Sequence, residues 1–137
     1  MRELIYQALV SDQSLIDRGF DSGHIFPNYG FSQIPRDKMS LVIRYSDQDI
    51  SASHIGRGAE SVEVWVHQPK EIGNDMVVLR DTLLDVKEVI MSLELQSGFG
   101  YRITSVKFEG FGSDLSDPGY NTLTKKMAFR ILSHPVG

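Results

Sequence analysis

One stretch of this sequence, residues 75–93, constrains the fold more than any other. Its apolar positions recur at alternating spacings of three and four residues, at Met76, Leu79, Leu83, Val86, Ile90 and Leu93. This spacing is typical of an amphipathic helix with one apolar stripe. Asp75 occupies the N-cap position, where its carboxylate accepts from free N–H groups of the first turn. The pattern predicts a long helix that buries one face against another element.

Four runs with strand composition flank this helix, two before it and two after it. They span residues 39–45, 60–67, 101–109 and 121–133. The second run alternates valines with Glu63, Trp65 and His67, which is typical of a half-buried strand. In the third run the parity of the apolar residues changes near Thr104, which predicts a β-bulge there.

The order of these elements predicts an α+β fold. We expect a single mixed or antiparallel sheet of about four strands, packed by the long amphipathic helix and by a short N-terminal helix over residues 2–10. A second helical turn, capped by Ser11 or Asp12, is expected to follow. The length of 137 residues predicts one domain over residues 1–137. Two long polar loops are expected within it, at 46–60 and 110–121.

The residues that usually carry chemistry form no recognisable motif. The sequence has no cysteine, which excludes disulfides and thiolate chemistry. Its four histidines are scattered, without the i, i+4 pair of a helical zinc site. Neither a phosphate-binding glycine loop nor a nucleophile elbow is present. We therefore predict no catalytic residue, no metal site and no cofactor, and a chain that is not an enzyme.

Two pairs of aspartates lie in polar stretches, Asp47 with Asp49 and Asp114 with Asp117. The first pair lacks the glycine and the closing glutamate of a calcium loop. Aspartates in such stretches are more typical of solvated turns. Whether either pair binds a cation stays open from the residues alone.

Residues 20–38 combine prolines and glycines with many large apolar side chains. One interpretation is a loop pinned across the edge of the core. The other is an apolar surface that meets a second subunit. Trp65 lies on the strand face opposite the valines, so either the N-terminal helix covers that face or Trp65 marks a protein contact, and we favour the contact. The candidate subunit-interface residues are therefore Phe26, Tyr29, Phe31, Ile34 and Trp65.

The net charge of −4 argues against broad wrapping of DNA. A local basic patch is still compatible with it. If the 46–60 loop and the last strand face the same side, Arg57, Lys125, Lys126 and Arg130 gather there and contact DNA phosphates without reading sequence. The alternative is that these cations belong to the polar outer faces of strands.

Nothing in the sequence predicts a membrane segment. Its longest apolar runs have three or four residues, whereas a spanning helix needs about 20. We expect a chain that folds in the cytoplasm and contacts no membrane.

The layout resembles that of the tail terminator (tail completion, or minor tail) proteins of long-tailed bacteriophages. The similarity covers nearly the whole chain. It comprises an N-terminal helix, the Ile25-Phe26-Pro27 and Ile34-Pro35 stretch, a strand, and a long loop. A strand with Val64-Trp65-Val66, the Gln68-Pro69 turn, an amphipathic helix and a two-strand ribbon complete it.

This resemblance implies a non-enzymatic structural protein that folds in the host cytoplasm and ends in the virion tail. Its implied partners are other copies of itself in a hexameric ring, the tail-tube protein and a head-completion or connector protein. The ring caps the tube, stops its polymerisation and joins the head, while DNA passes nearby without sequence recognition.

Two alternatives remain at this stage. One is another phage neck or head–tail connector protein. The other is a small α+β ligand-binding or enzymatic domain, with the 46–60 and 110–121 loops as a lid.

Overall fold

The computed structural model describes residues 1–30, 33–47 and 58–136. Three helices lie in this part of the chain: α1 (Arg2–Ser11), α2 (Gln13–Asp17) and α3 (Met76–Met91). The strands are β1 (Ile25–Phe26), β2 (Ser40–Asp47), β3 (Gly58–Pro69), β4 (Ser97–Gly98), β5 (Tyr101–Phe111), β6 (Leu115–Asp117) and β7 (Thr122–Pro135). None of the described helices is long and apolar enough to cross a membrane.

The strands of the described residues form one seven-stranded mixed sheet that curls into a half-barrel. Its order is β1-β2-β3-β7-β5-β4, and β6 pairs with the start of β7. The β1–β2 pair is parallel and the other pairs are antiparallel.

The predicted fold class is wrong, because the sequence indicated about four strands and two main helices. The extra strands β1, β4 and β6 have two or three residues each. Segments this short contain no period-2 alternation, and turn residues surround them. Sequence periodicity detects only strands long enough to show their period.

Helix α3 lies where the apolar spacing predicted it. The Asp75 carboxylate accepts from the backbone N–H of Val77 at 2.9 Å, which confirms the N-cap. The buried face of α3 consists of Leu79, Thr82, Leu83, Val86 and Ile90. This face packs on β3, β5 and β7, and α1 and α2 lie beside it. All three helices therefore cover one face of the sheet.

The core lies between α3 and the central strands. Val62 and Val64 of β3 pair with Phe129 and Met127 of β7, and all four are fully buried. Burying a side chain of this kind contributes about 1.5–3 kcal/mol each. Because side chains alternate along a strand, the residues between them point to the opposite face, which we call the outer face.

Two irregularities bend β5 against β7. The first lies between Ile103 and Ser105 and confirms the predicted bulge. The second lies between Phe108 and Gly110, where Gly110 has φ of 123°, a value that glycine adopts readily. Such bulges increase local twist, which is how a long strand joins a curled sheet.

The two predicted loops differ in what the structure describes. Within 110–121, Leu115 and Asp117 belong to β6 and pair with Thr124 and Thr122. For the loop predicted at 46–60, the flanking strands β2 and β3 extend into it and pair up to Asp47↔Glu60. Residues 48–57 lie outside the described residues.

We expect Leu83→Ala to lower the free energy of unfolding by about 2–5 kcal/mol, because it leaves a cavity in the packed face of α3. Leu83 is fully buried, whereas its neighbour Leu84 is 39% exposed. Leu84→Ala is the matched control, with an expected change within about 0.5 kcal/mol. Urea unfolding followed by circular dichroism measures both. Equal losses for the two variants would contradict the assigned face.

Candidate functional site

The outer face of the sheet has a second, smaller apolar cluster. Ile34 and Val42 are at most 2% exposed, yet neither belongs to the core cluster under the helices. Val42 pairs with Trp65 across β2 and β3, so it points away from α3. The described residues of the 20–38 segment therefore cover one end of the outer face and bury part of it.

His67 ties the 20–38 segment to the sheet. Its Nε2 lies 2.8 Å from the Tyr29 hydroxyl, and its Nδ1 lies 2.8 Å from the Thr122 hydroxyl. The Tyr120 ring stacks on Tyr29 at 6.0 Å and meets His67 edge-on at 5.7 Å. Burial lowers the pKa of His67 to about 4 and raises that of Tyr29. The imidazole is therefore neutral at pH 7 and bridges two hydroxyls.

Arg36 fastens the same segment by charge and by backbone contacts. Its guanidinium donates to the carbonyls of Tyr120 at 2.6 Å and Asn121 at 2.9 Å. Its Nε donates to the Glu71 carboxylate at 2.7 Å, and Nη2 also contacts that carboxylate. The hydrogen bond from Arg36 lowers the pKa of Glu71. One arginine thus joins the segment, the β3–α3 connection and the turn before β7.

His24 forms a third contact, between two carboxylates of the same segment. Its Nδ1 lies 2.7 Å from Asp21 and its Nε2 lies 2.9 Å from Asp37. Although burial acts to lower the pKa of His24, the hydrogen bonds to Asp37 and Asp21 raise it overall. The hydrogen bonds from His24 and Lys38 lower the pKa of Asp21 to about 2. The protonated imidazole is therefore the form that this pocket favours.

The exposed part of the outer face is basic and includes an aromatic ring. The Glu63 carboxylate accepts from Lys126 at 2.8 Å and lies 3.9 Å from Arg44. Burial acts to raise the pKa of Glu63, but the hydrogen bond from Lys126 lowers it overall. The Lys126 ammonium also lies 5.3 Å from the centroid of the Trp65 ring, a cation–π contact.

A third surface lies at the far corner of the sheet, where β4 turns into β5. Phe99 and Gly100 form a two-residue hairpin loop with φ of 51° and 82°, the signs expected of a type I′ turn. Phe99 is 60% exposed, although Asn or Gly is the usual residue at such a position. Leu95 nearby also combines a positive φ of 67° with an exposed side chain.

A groove of about 570 Å³ borders this corner. Its lining includes Met1, Arg2, Glu60, Phe99 and Tyr101. Arg2 donates to the Glu60 carboxylate at 3.0 Å, so these two charges of the lining pair with each other within the subunit.

The predicted interface residues that the structure describes lie in different environments. Ile34 is buried in the outer-face cluster, whereas Tyr29 and Trp65 are partly exposed. Phe26 forms β1 at the edge of the sheet. Phe31 lies outside the described residues. The interface assignment itself stays a prediction.

The predicted basic residues divide between the two faces. Lys126 and Arg130 point to the outer face, because their partners are Trp65 and Ser61. Lys125 points to the helix side, where it donates to Asp114 at 2.8 Å and to the Gly112 carbonyl at 3.0 Å. Arg57 lies outside the described residues.

The hydrogen bonds and ion pairs of His24, Arg36 and His67 were not predicted from the sequence. Arg36 and His67 contact residues that are far from them in the chain, and the contacts of His24 lie in a segment without periodicity. The Phe99 corner did have a local signal. Gly98 and Gly100 flank Phe99, and glycine is typical of two-residue hairpin turns.

The acidic groups and imidazoles of these clusters are engaged in ion pairs and hydrogen bonds within the chain. Within residues 1–30, 33–47 and 58–136, no group of three or more His, Asp or Glu side chains could hold a metal ion. The carboxylate of Asp114 pairs with Lys125, and that of Asp117 accepts from the backbone N–H of Tyr120 at 3.0 Å. The side chains of Asp47 and Asp49 lie outside the described residues.

No protein-family model and no curated protein sequence matches the chain. The fold is similar to that of a chain in the solved virion of a native gene transfer agent particle, with a TM-score of 0.70. The similarity covers 98% of this chain and 94% of that chain, at 12% sequence identity. At this identity the comparison establishes a shared fold.

The surroundings of His24 and His67 shift the pKa values of the two imidazoles in opposite directions. His24 should titrate above its usual pKa of 6.5, and His67 near 4. Protonated His24 stabilises the fold fully below pH 6.5, and this contribution is lost as the pH rises through its raised pKa. Protonated His67 opposes folding, so stability is lost as the pH falls from 6.5 through 4, on the order of 3 kcal/mol in total.

Imidazole ¹⁵N–¹H NMR titration measures both values, and His24→Gln and His67→Gln assign the signals. A His67 midpoint near 6.5 would contradict its burial between Tyr29 and Thr122.

Phe99→Asn should raise the free energy of unfolding by about 1 kcal/mol, because Asn-Gly suits a type I′ turn better than Phe-Gly does. Phe99→Ala is the control, since it removes the ring and leaves a residue that is still strained at positive φ. Thermal and urea unfolding compare the two. A Phe99→Asn variant less stable than the natural chain would show that the Phe99 side chain serves the fold.

Proposed function

We propose that this chain is a structural protein of a phage-like virion. The observation that carries the proposal is the similarity of fold to a virion chain over nearly the whole length of both chains. The binding surfaces of the described residues support it: a basic outer face, an exposed apolar corner and a fastened 20–38 segment. A protein of this class works by presenting shaped surfaces to its neighbours.

Within the virion, we assign the chain the role of a tail terminator. In this role it caps the tail tube, stops tube growth and presents the surface that joins the head, as a ring of copies that we take to be hexameric. A closed ring needs two unlike patches on each subunit. The outer face around Trp65 and the exposed side of α3 lie on opposite sides of the sheet, which suits such an arrangement.

The natural chain keeps an exposed phenylalanine at a strained turn position. Exposed apolar side chains held in unfavourable backbone geometry are often sites of contact. We assign Phe99 to a contact with a neighbouring virion protein, and Tyr101 beside it to the same surface.

Deletion of the gene in the genome that encodes it should give tail tubes of irregular length and heads without attached tails. Negative-stain electron microscopy counts both, and mass spectrometry of purified particles should detect the chain in complemented preparations. Normal particles from the deletion strain would contradict the virion role.

Complementation by Phe99→Asn separates assembly from folding. We expect this variant to be at least as stable as the natural chain and yet to restore few joined particles. Full complementation by Phe99→Asn would remove Phe99 from the proposed contact and leave the virion role in place.

A further inference from the structure

The outer face concentrates positive charge in a chain that is acidic as a whole. Four cations point there from β2, β5 and β7, beside the carboxylate of Glu63: Arg44, Lys107, Lys126 and Arg130. Lys107 and Arg130 sit opposite each other on β5 and β7. Neither forms an ion pair within the described part of the chain, whereas Arg44 and Lys126 share Glu63.

Helix α3 presents the complementary surface on the other side of the subunit. Its outward stripe, at spacings of four, three and four residues, consists of Val77, Asp81, Leu84 and Glu88. All four side chains are exposed, with Val77 at 63% and Leu84 at 39%. This stripe alternates apolar and acidic residues.

The cations of α3 turn away from this stripe. The Lys87 ammonium lies 4.0 Å from the centroid of the Phe108 ring on β5, and the Arg80 guanidinium lies 6.0 Å from that of Phe111. Asp85, on the other flank, pairs with Arg18 at 2.5 Å. The outward stripe is therefore left with a net negative charge from Asp81 and Glu88.

Building on the virion role proposed above, we propose that the outer sheet face of one copy docks on the α3 outward stripe of a second copy. The two surfaces match in charge, because cations meet Asp81 and Glu88. They also match in apolar character, because Trp65 meets Val77 or Leu84. A helix layer packed on a sheet face is a stable layer arrangement in proteins.

The geometry makes this contact heterologous. The outer face and the α3 stripe lie on opposite sides of one subunit, so each copy offers one surface in front and the other behind. Contacts of this type repeat from copy to copy and close into rings when the rotation permits. Opposite charges also fix orientation, because two basic faces repel each other.

Disulfide trapping tests this docking. Because the sequence has no cysteine, only the introduced thiols can form disulfides. Ala128→Cys places a thiol on the outer face, and Leu84→Cys places one on the α3 stripe. Ser14→Cys, exposed on α2, is the matched control for position. One variant of each pair has a purification tag, so mixed dimers are identified by mass after mild oxidation.

We expect mixed dimers of Ala128→Cys with Leu84→Cys to exceed those of Ala128→Cys with Ser14→Cys and those of either variant with itself. Glu88→Arg in the Leu84→Cys copy should lower the mixed yield about tenfold at low salt. Arg130→Glu in the Ala128→Cys copy should restore it. Equal yields in the test and control pairs would overturn the proposal.

A nucleic-acid partner is the competing outcome for the basic face. Fluorescence anisotropy with a short labelled duplex DNA measures it. Binding that is lost in Arg130→Glu, together with no preference in disulfide trapping, would overturn the docking in favour of DNA.

The docking and the virion role fail separately. Preferential trapping of a chain that purified particles lack would keep the docking and reject the virion role. Incorporation of the chain into particles without preferential trapping would keep the virion role and reject the docking.

Discussion

The antiparallel pairing of β3 with β7 is the interaction on which the rest of the structure depends. It runs from Gly58↔Ser133 to Pro69↔Thr122 through the centre of the sheet. Its register points the β3 valines at α3 and sends Trp65 and His67 to the outer face. A slip of one residue would exchange the two faces, because side chains alternate along a strand. The same pairing therefore determines both the core and the candidate binding surface.

As a result, the two faces of the sheet differ in character: one forms the core and the other forms a surface. The inner face is apolar and is covered by the three described helices. The outer face is covered at one end by the 20–38 segment, which Arg36 and the His67 bridge hold in place. Beyond this segment the outer face is basic and partly exposed. A chain with a net charge of −4 thereby gains one positive surface and one negative helix stripe. Segregated charge of this kind favours ordered association between copies.

Local patterns in the sequence predicted those structural features that neighbouring residues determine. The period of α3, its Asp75 cap and the bulge after Ile103 follow from neighbouring residues, and all three are confirmed. The seven-stranded sheet was missed because its short strands exist only through their partners. The site was harder still: Arg36 reaches a carbonyl 84 residues away, and no local pattern encodes such a contact. Lys125 and Lys126, predicted together, lie on opposite faces because adjacent residues of a strand alternate.

If this chain is a shaped subunit of a virion, as proposed, it occupies a defined position in the particle. A cryo-electron microscopy reconstruction of the purified particle measures this position. We expect a ring of copies between the tail tube and the head, with the outer sheet face of each copy against α3 of the next. A particle map in which no density fits this fold would rule out the virion role.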